Sequence, residues 1–561
     1  MDSSQDTHPT AVGRTLDRDL LSLPGGALVK RILDNENPEA FVRRLSAEDL
    51  YWIVKRIGED DCLPVLELAH EEQWQYLIDL DIWEKDLLSP EKSLAWLKRL
   101  AEADPERLSL WLWGEERQLL SFLLLRTAEV VVKDLQEEGL ELPEGYFTVD
   151  GVFYIKAFTE KNQEAIETLL TTLAHNNHEA YQELLYGLAA IIPAEAQEEL
   201  YRLRNSRIAE HGFVPFEEAL SVYAPIDLAA LKTEPPPLPP GRLVDKTADE
   251  SAPALPLLQI AKEGMFPQAV ADISDQVVFE RIGIEFADLA NRIIAAGNFP
   301  EISDPDILGA SCRQATGYLN IILERLSNKD ISKAKSILDK HSLLTLFRAG
   351  YGLAVDLQRE AKRWRQKSWF FSQGWGNEFW GNPWSEILDG LLSVRPLFYA
   401  GDKDSLPYRD FRSGHDLDET RKQLSRITVL DRMLGRLSLT GGDIRLNQSH
   451  KTFLSILFNR WAHKLLERKP SFEPLTQSEV RRFFGILRQG ETQPPYRMPS
   501  FKDIFISDFS EGAADFEPGE ADALLEALNR VWETFCGEYE DIRIDDIEGR
   551  FSPFLLILPL G

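Results

Sequence analysis

The chain is 561 residues long, 43% hydrophobic and 27% charged, too long for one core and too apolar for a disordered protein, so two or more globular domains are expected. Ninety-two acidic against 62 basic residues give a formal charge of −30, a field that repels polyanions and sets nucleic acid at a disadvantage as the main ligand. Cys62, Cys312 and Cys536 are far apart and form no Cys-x-x-Cys pair. That pattern offers neither a disulfide framework nor a cysteine zinc site and fits a reducing cytoplasm.

In chain order, "MDSSQDTHPTAVGRTLDRDL" has no basic start followed by an apolar stretch, so no secretory signal is expected and residues 1–24 read as a flexible tail. Residues 25–223 read as an N-terminal domain. Within it "LSAEDLYWIVKRI", "LAHEEQWQYLIDL" and "LSPEKSLAWLKRL" stack without gaps. Leu45, Leu68 and Leu88 lead the units and Glu48, Glu71 and Glu91 follow three places later. Val54, Leu77 and Leu97, then Ile57, Leu80 and Leu100, complete an apolar stripe at helical spacing. Ser46 and Ser89 can cap the free N–H groups, Pro90 suits a first helical position, and the glutamates favour the positive end of the dipole. The expectation is a helical-repeat superhelix, since one amphipathic helix cannot bury its stripe alone.

"EGYFTVDGVFYIKA", with turn residues Asp150-Gly151, predicts one β-hairpin near residues 144–156. Helices then resume. The helix that contains Arg202, Arg204 and Arg207 is expected to end at Gly212, with Phe213 making a Schellman-type contact, and Pro215 opens a short helix through Tyr223. Residues 224–256, which include "KTEPPPLPPGRLVDKTADESAPALP", are too proline-rich for helix or sheet and read as a linker. Residues 257–561 read as a second, mostly helical domain, with "FLLILPL" near its end the main strand-like run. The longest apolar runs fall well short of the ~18 residues a membrane span needs. The fold class is mainly α.

The repeat over residues 40–110 resembles the helical repeats in the intracellular N-terminal domain of bacterial channel-type magnesium transporters. That resemblance implies a superhelical scaffold and not transport. "LIDLDIWEKDLLSPEKSLAWL", "YFTVDGVFYI" and "SRIAEHGFVPFEEALSVY" are together similar to an uncharacterised family of bacterial cytoplasmic proteins that carries a domain of unknown function. It implies no activity, ligand or catalytic residue.

Enzyme signatures are sparse. There is no phosphate-binding loop, no dinucleotide fingerprint, no His-Glu-x-x-His and no Gly-x-Ser-x-Gly elbow, and nothing indicates a cofactor. His175 and His178 stand three apart and read as a polar helix junction rather than metal ligands. Asp79, Asp81, Glu84 and Asp86 gather oxygen donors of the kind magnesium takes, but acidic residues between helices more often serve as caps and solvated charge. Arg202, Arg204 and Arg207 could meet phosphate or simply oppose the helix dipole.

"RWRQKSWFFSQGWGNEFWGNPW" packs five tryptophans behind a run of basic residues. Trp364 and Trp384 continue apolar helix faces and read as core. Trp375 and Trp380, with Arg363 and Arg365, are the candidate partner-binding residues, with seam-filling between two helices the preferred alternative. From Arg359 to Arg488 there are 23 basic and 15 acidic residues, while residues 503–548 are strongly acidic and are expected to fold back on this basic middle. The function expected from the sequence is a non-enzymatic helical scaffold or adaptor that binds a protein partner in the bacterial cytoplasm. The alternatives are an enzyme with no local signature, or a nucleic-acid or acidic-ligand binder that uses the basic, Trp-rich region.

Overall fold

A computed structural model of the chain describes residues 23–132, 144–231, 252–297 apart from 262, 304–401, 406–439, 452–547 apart from 490, 492 and 512–514, and 552–558. The tail expected over residues 1–24 lies outside the described residues up to 22, as do residues 232–251 of the expected linker. The chain divides into two compact units, Met1–Ala349 and Gly350–Gly561. Both are mainly helical, and the described strands form three small antiparallel pairs. Among the described residues no helix is long and apolar enough to cross a membrane.

In the first unit the three aligned segments form the helices Ala47–Ile57, Glu71–Asp81 and Pro90–Ala103, the first packed on the second and the second on the third. The residues that the alignment marked build the starts only in part, since Ser89 makes no side-chain cap hydrogen bond and His70 and Gln73 were not among them. Ser46 Oγ accepts from Asp49 N at 3.1 Å, Pro90 occupies the first turn, and His70 N donates to Gln73 Oε1 at 3.1 Å. Val54, Ile57, Leu77, Leu80, Leu97 and Leu100 are all buried, because the 3.6-residue period turns them to one side.

The strand content corrects the sequence reading in detail. Phe147 and Ile155 exchange backbone hydrogen bonds of 2.9 Å each way. Between them Gly151 turns at φ 73 and Asp150 Oδ1 accepts from Val152 N and Phe153 N. The longer partner of Phe153–Ala157 is Ala128–Val132, in register from Ala128↔Ala157 to Val132↔Phe153. A second hairpin pairs Trp83–Glu84 with Leu87–Leu88, inside the stretch read as an acidic loop. Helix Pro193–Ala209 ends as expected: Phe213 N donates to Ile208 O and Gly212 N to Ala209 O, both at 3.1 Å, with Gly212 at φ 82 and Ile208 and Phe213 both buried. This is a Schellman turn with its apolar contact. Glycine is required there twice over, since a Cβ would also lie 2.6 Å from Asp288 O.

Helices Gln276–Gly297 and Pro305–Ser327 pack on each other and on the short helix Leu255–Leu258. Two further helices, Ile331–Lys340 and Leu343–Lys367, are separated at His341-Ser342.

In the second unit the core is aromatic. Phe458 stacks on Phe535 at 4.2 Å and on Phe505 at 5.1 Å, and Trp461 meets Phe483, Phe505 and Trp532 edge-on. The expected strand at "FLLILPL" reduces to a single parallel bridge, Leu475↔Ile557, with Leu475 N donating to Leu556 O at 2.8 Å. Phe554 and Leu555 are buried there, and Asn459 Oδ1 accepts from Leu556 N at 2.8 Å. Burial, rather than pairing, accounts for the apolar character of this segment.

Candidate functional site

The Trp-rich segment begins on the last turns of helix Leu343–Lys367 and continues through the turn Trp369–Ser372 to the helix Trp384–Leu392. Asp431 holds its first turn, accepting from Trp369 N at 3.1 Å and Phe370 N at 3.0 Å. Burial pushes this carboxyl above its ordinary range, against the two backbone donors.

The tryptophans divide by depth. Trp380 is fully buried, with ring centroids 5.4 Å from Phe370, 5.2 Å from Phe379, 5.5 Å from Phe453 and 6.4 Å from Trp364. Trp384 is buried and donates from Nε1 to Gln423 Oε1 at 3.0 Å. Trp375 is half-buried, stacked on Phe379 at 4.6 Å and edge-on to Trp369 at 5.3 Å. Beside it Phe371 is exposed, with the Arg365 guanidinium 4.9 Å above its ring. The four candidate residues therefore do not form one site: Trp380 is core, Trp375 and Arg365 edge an aromatic shelf, and Arg363 lies on the helix before it.

Asp356, Arg359, Lys362, Arg363 and Gln366 line an open groove along that helix. Arg359 pairs with Asp356 at 3.0 Å. Lys362 Nζ donates to Gln358 Oε1 at 2.8 Å and Arg363 Nε to Arg359 O at 3.3 Å. Among the described residues, neither Lys362 nor Arg363 has a carboxylate partner.

The rest of the basic middle is treated differently. Along Gly414–Leu439, Arg426 reaches Glu526 at 2.5 Å, Arg432 reaches Glu520 at 3.0 Å and Arg436 reaches Asp515 at 2.6 Å. Glu520 and Glu526 lie on the helix Pro518–Tyr539 that packs against it. The arginines hold all three carboxyls below their ordinary range. The acidic C-terminal region thus folds back on one basic row of the same unit and leaves the groove at Arg359–Arg363 outside that pairing.

A model of a family of unknown function, DUF6178, matches residues 10–558. The chain belongs to this family. No curated protein and no solved structure matches the chain. Family membership assigns no chemistry, so the remaining DUF6178 residues singled out in the sequence stand on their contacts alone.

Those contacts are mostly internal. Asp79 is buried and takes Arg207 in a two-pronged pair, 2.7 Å at both oxygens, while its backbone oxygen accepts from Arg204 Nε at 2.6 Å. Arg207 also reaches Glu116 at 3.4 Å; burial pushes that acid up to about 7 against the attraction of the arginine. Asp81 pairs with Lys55 and accepts from Tyr51 Oη at 3.2 Å. Glu84 sits on the exposed hairpin 3.1 Å from Lys92, and Asp86 is exposed beside it. The four acids thus face different partners, and among the described residues no group of three or more His, Cys, Asp or Glu side chains is placed to hold a metal ion. Arg202 pairs locally with Glu199 at 2.7 Å. His175 bonds Thr171 O at 2.7 Å and His178 stacks on Tyr181.

Sequence reasoning missed one cluster. Asp49, fully buried on helix Ala47–Ile57, accepts from Ala254 N and Leu255 N at 2.9 Å each. Its neighbour Glu48 meets His211 Nδ1 at 2.7 Å. Glu48 read as a helix-dipole residue and Asp49 drew no reading, since nothing local marks a partner more than 160 residues away.

Proposed function

We propose that this chain is a non-enzymatic helical scaffold of the bacterial cytoplasm that holds an acidic segment of a partner protein along the Arg359–Arg363 groove and the adjoining aromatic shelf. One contrast carries the reading: the second unit neutralises Arg426, Arg432 and Arg436 with its own acidic C-terminal region, whereas Lys362 and Arg363 have no such partner among the described residues. In a chain of net charge −30, an unneutralised basic strip favours acidic ligands by charge complementarity. The exposed Phe371 and the half-buried Trp375 add ring surface of the kind that anchors interfaces.

The test is fluorescence anisotropy with a fluorescein-labelled peptide that alternates glutamate with leucine and phenylalanine, run beside a labelled single-stranded DNA. Lys362→Glu with Arg363→Glu should weaken peptide binding about tenfold or more, in line with like-charge juxtaposition at an interface, with melting unchanged because both side chains are exposed. Unchanged peptide affinity in that double variant overturns the proposal. DNA binding tighter than the peptide, falling steeply with salt, would favour the nucleic-acid alternative instead.

A further inference from the structure

We infer that Asp49, Glu48 and His211 form a proton-operated seam in the first unit, closed at acid pH and loosened as the pH rises to neutrality, that controls how firmly the helix Leu255–Leu258 is held to the repeat helix Ala47–Ile57. The inference is independent of the proposed function.

The geometry supplies both halves of such a device. Asp49 is the shared acceptor for the two N–H groups that open the segment after the proline-rich stretch, one to each carboxylate oxygen at 2.9 Å. Next to it Glu48, also buried, meets His211, which supplies positive charge only when protonated. His211 is fixed from two further sides. Asn291 Nδ2 donates to its carbonyl at 2.6 Å, and its ring lies 4.6 Å from Tyr76. The following residue, Gly212, is pressed against the backbone of Asp288. Two adjacent buried carboxyls and one imidazole thus join the repeat, the turn after Pro193–Ala209, helix Gln276–Gly297 and helix Leu255–Leu258.

The elements packed around the two acids carry charged side chains of both signs. Helix Leu255–Leu258 carries no titratable side chain. Helix Gly25–Leu33 brings Lys30 and Arg31, helix Glu71–Asp81 brings Glu71, Glu72, Tyr76, Asp79 and Asp81, and helix Gln276–Gly297 brings Glu280, Arg281, Glu285, Asp288 and Arg292. Helix Pro305–Ser327 brings Asp306, Arg313, Glu324 and Arg325. The polar contacts of Asp49 are instead Ser46, Ala254 and Leu255, with Glu48 repelling it; Lys55, on its own helix, is committed to Asp81 and Glu59. Burial pushes the Asp49 acid up to about 7, with the two backbone donors opposing and Glu48 adding to the rise.

The sign follows from linkage. When the seam opens, the carboxyl returns to its ordinary range near 4, so the open form binds the proton less tightly than the closed one. The stabilisation of the closed seam is therefore complete below that range, falls as the pH rises, and is gone above about 7. On the alkaline side the ionised Asp49 also meets the repulsion of the adjacent Glu48.

Hydrogen exchange read by mass spectrometry on the full chain tests this, with rates corrected for the intrinsic pH dependence of amide exchange. Between pH 6 and pH 8 the protection of residues 252–261 should fall about tenfold, the change linkage gives for an acid moved from near 4 to about 7. Protection of helix Pro305–Ser327 should hold steady, and Asp49→Asn should remove the pH dependence. Equal protection at both pH values, an unchanged fall in Asp49→Asn, or a fall spread over the whole unit would each overturn the inference. Should Asp49→Asn not fold, the wild-type comparison of the two segments decides alone.

Discussion

Replacing Trp380 by alanine tests whether the aromatic cluster of the second unit holds it together. The indole is fully buried among Trp364, Phe370, Phe379 and Phe453, and rigid rings collapse poorly into a void. The cost should therefore lie in the upper part of the ~3–5 kcal/mol range for buried Trp or Phe truncation. For a unit of roughly 200 residues, about 4 kcal/mol corresponds to a fall of about 8–16 °C in Tm. Trp375, half-buried, should lose only about 1–2 kcal/mol on the same truncation. Trp380→Phe should recover more than half of the alanine loss, because it refills part of the space and deletes an Nε1 donor that has no acceptor among the described residues. Calorimetry with far-UV circular dichroism is the assay, since fluorescence would change with the residue itself. A loss below about 1 kcal/mol in Trp380→Ala, or an equal loss in Trp375→Ala, refutes the division of these rings into core and shelf.

Leu77→Ala and Leu97→Ala, at equivalent buried positions of the repeat, should each cost about 2–5 kcal/mol as read from urea midpoints; unchanged midpoints would remove the repeat packing. Arg207→Ala should destabilise by about 3–5 kcal/mol, because it leaves Asp79 and Glu116 buried without their cation, and a surface-like loss under about 0.5 kcal/mol would refute that. Glu116, raised to about 7, contributes stability that is complete below the ordinary carboxylate range and lost as the pH climbs through about 7. Glu116→Gln should accordingly reduce the fall in urea midpoint between pH 5 and pH 8, and an identical slope in both proteins would count against it.

What the sequence disclosed was local. Ser46, Pro90 and the Gly212-Phe213 pair act within a few residues of where they stand, so caps and the Schellman turn were legible. Ala128–Val132 was not, because "LLSFLLLRTAEVVV" runs its apolar character straight from helix into strand and only pairing with Phe153–Ala157 separates the two. The candidate site was half legible for the same reason. Clustering of tryptophan beside arginine is visible in one dimension, but whether a ring is core like Trp380 or shelf like Trp375 depends on Phe453 and Asp431 arriving from elsewhere. Asp79 has an adequate local reading as a helix-end charge, and so does Arg207. Their two-pronged pair exists only after the chain has closed a loop between them.

The late segment around Leu556 has a consequence for the order in which the protein can mature. Phe554 and Leu555 fill the second unit's core, and Leu556 closes onto Leu475 and Asn459. A ribosome that adds about 5–20 residues per second needs several seconds to travel the roughly 80 residues between the two halves of that contact. Through that interval Phe458 and the Leu475 backbone await a partner not yet made, which leaves part of the aromatic core uncovered until the last segment is added. It also makes the timing of synthesis, and not only the finished sequence, part of what the chain needs to fold.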